Sequence, residues 1–368
     1  MRSVVLIVPG QLDLLRPNGE DNPELERVVE RSEIFKLVGW WPQDRHSVAE
    51  AAIVGLSPET VQAAQGALVV SALRLDPPVR SAHFAISLGT LADGAVKRLE
   101  IHDAPDQQEE RTLKQVFQKL DTDKFRTFWG EGLEHAAVWL EGSVDMSCQP
   151  LDHDWALELS SSMPQGDGEA MLRRYVDDSI NLLMDADMNK KRQDEARPGL
   201  NVLWPWGQGF QPNLPHLGLL RGTPSRVESR SLRLAGLARL VGYKPGDFRD
   251  FGRPLATNWA RLRHLAGSSS LPLVAYANEI ETATRAHRHE EGWSLWMDTV
   301  NDFVLPLARN RETLIVVCAP SRAGSLALVF DPEKSVSSNK PFDARVLDDK
   351  SVQTVHGPSF VAKHLTLG

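Results

Sequence analysis

Residues 201–209 read Asn-Val-Leu-Trp-Pro-Trp-Gly-Gln-Gly and are followed by Gln211-Pro-Asn-Leu-Pro215. Trp204 and Trp206 stand two apart, so in an extended strand both indoles leave the same face. Gly207 and Gly209 permit a tight turn or a close backbone approach, and the Gln208 amide between them both donates and accepts. Asn201, Trp204, Trp206 and Gln208 would thus make a wall for a polar ligand. The other reading, which large aromatics favour, is a buried anchor with a turn after it. A second pair is His46-Ser47, just ahead of the helical pattern Val48 to Leu56. Ser47 is an N-cap, with Glu50 closing a capping box, or else a nucleophile at a helix N-terminus.

Three further clusters carry charge. His287-Arg288-His289-Glu290-Glu291 has imidazoles and acids enough for an opportunistic metal site, or forms a solvated face. Asp152-His153-Asp154 either orients a ligand through His153 or makes a loop salt bridge. Arg221, Arg226, Arg230 and Arg233 suit a phosphate or sulfate, or a basic surface patch. The chain has no phosphate-loop, nucleophile-elbow or dinucleotide fingerprint.

These residues need elements to hold them. Ser3-Val-Val-Leu-Ile-Val-Pro9-Gly10 predicts a central strand buried on both faces, as in parallel sheets, with a site loop after its C-terminal end. Leu25, Val28, Val29, Ile34 and Leu37 predict one amphipathic helix from Glu24 to Val38. From residue 67 to 150 the texture changes. Gly66–Leu73, Ser81–Leu88, Lys97–His102 and His135–Leu140 read as strands, with a turn at Asp93-Gly94 and a helix from Glu109 to Leu120. Hairpins plus one helix indicate a small α+β subdomain. Helices follow at Glu169 to about Met188, Leu232–Leu240 and Gly292–Leu307. Strands follow at the tryptophan motif, Ser270–Ala277 and Glu312–Cys318.

With 368 residues, 42% hydrophobic and 24% charged, the chain has room for one large α/β domain with an inserted subdomain, or for two domains. A net charge of -8 argues against general binding of nucleic acid or of anionic membranes. Two distant cysteines, Cys148 and Cys318, exclude a disulfide scaffold or zinc ribbon and fit a reducing compartment. The apolar run Val4–Val8 is too short for a signal peptide, so a cytoplasmic location is expected.

The order of these pieces resembles the archaeal-type cofactor-independent phosphoglycerate mutase family of the alkaline phosphatase superfamily. The resemblance is carried by Asn189-Lys-Lys-Arg192 running through Asn201–Gly209 to Leu214-Pro215. Val48–Pro58, Ser81–Ala104, Phe342-Asp343 and His356-Gly357 support it along the chain. The resemblance implies an alkaline-phosphatase-like α/β fold: a mixed, mostly parallel sheet sandwiched by helices, with an inserted α+β cap. The core would be residues 1–66 and 151–368, the cap 67–150.

It also implies phosphoryl transfer through a serine phosphoenzyme at a two-metal site, where hard ligands stabilise the attacking and leaving oxygens. The matching positions do not carry those ligands. The family's Pro-Asp-Gly falls on Val8-Pro9-Gly10, and its Pro-Gly-Ser-Asp on Asp44-Arg45-His46-Ser47, with Ser47 one residue late. Its His…Asp-x-x-x-His falls near Tyr276, Glu281 and Arg285. Its Asp-His-x-Thr-Pro falls on Ala319-Pro320-Ser321-Arg322, and its last ligand histidine near Leu328, ahead of Asp331-Pro332. Proline, alanine and leucine side chains offer a divalent cation no lone pair. The expectation is a non-catalytic phosphoglycerate-mutase-like scaffold with no metal, no cofactor and no catalytic residue. It would bind a phosphorylated small molecule or a protein partner through Asn201, Trp204, Trp206, Gln208, His153 and Arg192. Two alternatives stand beside it. One is an active metal-dependent mutase or phosphatase with two Mn, Mg or Zn ions; the other is a metal-free enzyme rebuilt on His46 and Ser47.

Overall fold

The computed structural model describes residues 2–8, 23–38, 54, 56, 65–151, 156–220, 225–246, 258–269, 271–285, 288–310, 313–321, 324–333 and 352–365. The chain divides into two compact units, Met1–Val61 with Pro215–Gly368, and Gln62–Leu214. The first segment gives β1 (Arg2–Ile7), α1 (Pro23–Glu30) and β2 (Glu33–Val38). The inserted unit gives α2 (Gln65–Ala72), β3 (Ala82–Ala92), β4 (Ala95–Arg98), α3 (Gln107–Leu120), β5 (Phe125–Glu131) and β6 (Glu134–Trp139). It continues with the short β7 (Met146–Ser147), β8 (Leu157–Glu158) and β9 (Gln165–Gly166), then α4 (Glu169–Leu183), α5 (Asp187–Asp194) and β10 (Val202–Gly209). Back in the larger unit come β11 (Arg226–Glu228), α6 (Leu232–Leu240), β12 (Lys244–Pro245), α7 (Trp259–Ser268), β13 (Leu273–Tyr276), α8 (Asn278–Arg285) and α9 (His289–Thr299). The last elements are α10 (Leu305–Arg309), β14 (Thr313–Ser321), β15 (Gly324–Phe330), β16 (Gln353–His356) and α11 (Gly357–His364).

The larger unit is built on an eight-stranded sheet in the order β12-β11-β13-β1-β14-β15-β2-β16. Only β15 runs against the rest. β1, flanked in parallel by β13 and β14, is buried on both faces, as its unbroken apolar run requires. Val4, Leu6, Val8, Ile315 and Val317 pack on one face against Leu262, Trp296 and Phe303 from the α7–α10 region. The opposite face carries Phe35, whose ring lies 4.9 Å from that of Phe360 in α11. Helices therefore cover both sides of a mixed, mostly parallel sheet.

Residues 24–38 are not one helix. Ser32 Oγ donates to the Val28 carbonyl at 2.7 Å and closes α1. The following residues pair with β15 and β16, for example Phe35 with Ala327 and with Gln353. Cross-strand pairing of Ile34-Phe35-Lys36-Leu37-Val38 outweighs a helical spacing that β-branched and aromatic residues only weakly support. Gly66–Leu73, expected as a strand, is helix α2, and every one of its residues is buried. An unbroken apolar run fits a buried helix as well as a buried strand, and here the helix wins. The strand expected over Lys97–His102 stops at Arg98 and is followed by a 3₁₀ turn at Ile101–Asp103. The helix expected to reach Met188 ends at Leu183. Leu232–Leu240 is helical as its spacing predicts.

The inserted unit carries a β5-β6-β3-β4-β8 sheet, with β10 on the other edge of β3. Asp93 and Gly94, both at positive φ (50° and 75°), join β3 to β4 in a two-residue turn of the type that suits hairpin twist. Phe84, Phe125 and Tyr175 stack in its core, with centroids 6.1 and 5.0 Å apart. The unit is longer than the expected 67–150 because β10 pairs antiparallel with β3, Trp204 opposite Ser87 and Trp206 opposite Ala85.

Candidate functional site

In the inserted unit the residues of the tryptophan stretch all meet protein partners. Trp204 is fully buried, and its Nε1–H donates to the Gln149 carbonyl at 2.7 Å. Trp206 Nε1–H donates to Ser87 Oγ at 2.8 Å, and Gln208 Nε2 donates to the Met146 carbonyl. Gly207 takes φ 63°, where the β10–β3 register shifts. Asn201 does something a wall residue would not. Its Oδ1 accepts from Leu91 N–H at 2.6 Å and its Nδ2 donates to Leu91 O at 3.1 Å. The carboxamide thereby stands in for a peptide group and lengthens the β10–β3 ladder by one position.

Asn189 repeats the device, accepting from Leu200 N–H at 2.8 Å and donating to Leu200 O at 3.0 Å and Leu183 O at 2.7 Å. Between the two asparagines Arg192, with 0% exposure, grips Glu109 through Nε (2.7 Å) and Nη2 (2.9 Å). Two further hydrogens reach the carbonyls of Asp103 (2.8 Å) and Pro198 (3.0 Å). Burial opposes ionisation of Glu109, but hydrogen bonds from Arg192 and from Asp106 N–H, with the Arg192 charge, outweigh it and hold the carboxyl below its ordinary range. The same carboxylate closes a capping box with Asp106 at the start of α3. The stretch from Asn189 to Asn201 is thus a clamp on the loop entering β10. His153, His46 and Ser47 lie outside the described residues.

In the larger unit, β11 leads outward to β12 while β13 leads the other way, across β1, to β14. The strand order reverses between β11 and β13, and the crevice beyond such strand ends is where open α/β sheets place ligands. Here Asn278 Oδ1 accepts from Ser229 Oγ (2.9 Å) and Arg230 N–H (3.0 Å), tying the end of β11 to the start of α8. Glu228, 1% exposed, pairs with Arg226 through Oε1, while its Oε2 has no hydrogen-bond partner among the described residues. Sequence reasoning took Arg226 for part of a basic patch and missed Glu228, although the alternation Arg226-Val227-Glu228 places both charges on one face.

At the neighbouring strand ends β1 finishes in Ile7-Val8 and β13 in Tyr276, all buried. β14 does not stop for a ligand loop. It runs on through Ala319, Pro320 and Ser321, which pair with Leu326, Ser325 and Gly324 of β15. Leu328 sits within that hairpin, opposite Val317. The described side chains at these positions are the alkyl groups of Ile7, Val8 and Leu328 and the phenol of Tyr276. Pro9 and residues 44–47 lie outside the described residues, and of Glu281 and Arg285 only the helical backbone of α8 is described. Arg288 pairs with Glu291 at 2.7 Å at the start of α9. Burial pushes the Cys148 thiol up to about 12 and raises that of Cys318, so neither is a ready nucleophile. Among the described residues, no helix is long and apolar enough to cross a membrane.

No family model matches the chain. It is 24% identical over 216 residues to the 2,3-bisphosphoglycerate-independent phosphoglycerate mutase of Methanothrix thermoacetophila, covering 58% of this chain and 54% of that protein. The protein of the same description from Methanosarcina mazei is 22% identical over 196 residues, 53% of this chain and 49% of its own. The chain thus spans about half the length of the curated relatives it matches. Among solved structures, a cofactor-independent phosphoglycerate mutase from Thermoplasma acidophilum aligns at TM-score 0.50 and 17% identity over 99% of both chains. Protein PH0037 from Pyrococcus horikoshii aligns at TM-score 0.61 and 13% identity over 99% of this chain and 97% of its own. In sequence and in fold the chain is a distant relative of the archaeal-type cofactor-independent phosphoglycerate mutases, on the alkaline-phosphatase-like α/β scaffold.

Proposed function

We propose that this protein is a non-catalytic phosphoglycerate-mutase-like scaffold, a regulatory or ligand- and partner-binding protein without the two-metal phosphoryl-transfer site. The observation that carries the reading is the continuation of β14 into a hairpin with β15 through Ala319–Ser321. That backbone is committed to cross-strand hydrogen bonds at the place where the resemblance calls for a ligand loop. Among the described residues, the neighbouring ends of β1 and β13 supply Ile7, Val8 and Tyr276 and add no carboxylate or imidazole. The clamp residues Asn189, Arg192 and Asn201 serve architecture in this reading, because their hydrogen-bonding groups are engaged within the inserted unit.

Elemental analysis of the purified chain, with a coupled mutase assay in added Mn and Mg, tests this. The expected result is less than one tightly held transition metal per chain and no turnover of 3-phosphoglycerate. Two bound Mn or Zn ions with measurable mutase or phosphatase turnover would refute it.

A further inference from the structure

We draw no further inference here: the strongest candidate, the groove floored by Phe35 and Phe360 between α11 and the strands β2, β14 and β15, has rim charges that already engage partners, and nothing among the described residues shows what covers its apolar floor.

Discussion

Arg192 shows how a residue type that suits phosphate can be fully used within the fold. Its fork meets one carboxylate in two bonds and two backbone carbonyls besides, with no exposed surface. Removing the cation alone leaves buried Glu109 with the Asp106 N–H at 2.8 Å and, among the described residues, only the more distant Arg197 guanidinium, at 3.7 Å, to balance its charge. Arg192→Leu should therefore cost about 3–5 kcal/mol, measured by urea unfolding. Adding Glu109→Leu should return part of that loss, because an apolar pair has no unpaired charge to hide. A double variant worse than the sum of the singles would contradict this account. The sequence told that Asn189, Arg192 and Asn201 mattered, since they carried the resemblance. It could not tell that Arg192 and Asn201 face inward, because their partners Leu91, Asp103 and Glu109 lie about a hundred residues away and are chosen by tertiary packing.

Helix α2 shows the same limit at the scale of an element. Its composition fits strand or helix, and the choice is made by a close approach to β3. A Cβ on Gly66 would meet the His83 carbonyl and the Phe84 Cα at 2.6 Å. Both are backbone atoms of a paired strand and have little room to give. Gly66→Ala should thus destabilise the chain by about 1–3 kcal/mol despite the higher helix propensity of alanine, as thermal unfolding would register. A stabilised variant would mean that α2 stands farther from β3. Elements with a strong local signal were legible: the helix ending at Leu120, the Asp93-Gly94 hairpin, the apolar run of β1. Those decided by distant pairing were not. β2 needs β15 and β16 beside it, and β10 needs β3, so neither its sheet nor the true extent of the inserted unit could be read from local pattern.

For the whole molecule, acid should be a sharper stress than the modest net charge implies. Burial lowers the His83 pKa to about 4; burial and then the Lys114 charge lower that of His135 to about 3. Both rings are neutral in the folded chain, and His135 Nδ1 accepts from Gly130 N–H at 2.9 Å. The unfolded chain takes up protons at both from about pH 6.5 downward, so the stability they contribute is full above that pH and falls as acid is added, down to the folded pKa values. Between pH 6.5 and 5, where most carboxylates are still ionised, a loss of about 2–4 kcal/mol is expected in urea titrations. A flat stability profile across that window would show that the two imidazoles are hydrated. The central position of β1 has a different outcome, for biosynthesis. The strand that anchors the larger sheet leaves the ribosome before the inserted unit, yet Leu273 and Ile315 beside Val4 are made only after that unit is complete. Vectorial synthesis therefore favours folding of the inserted unit while the apolar run of β1 waits unpaired. That interval is when the nascent chain most needs shielding from aggregation.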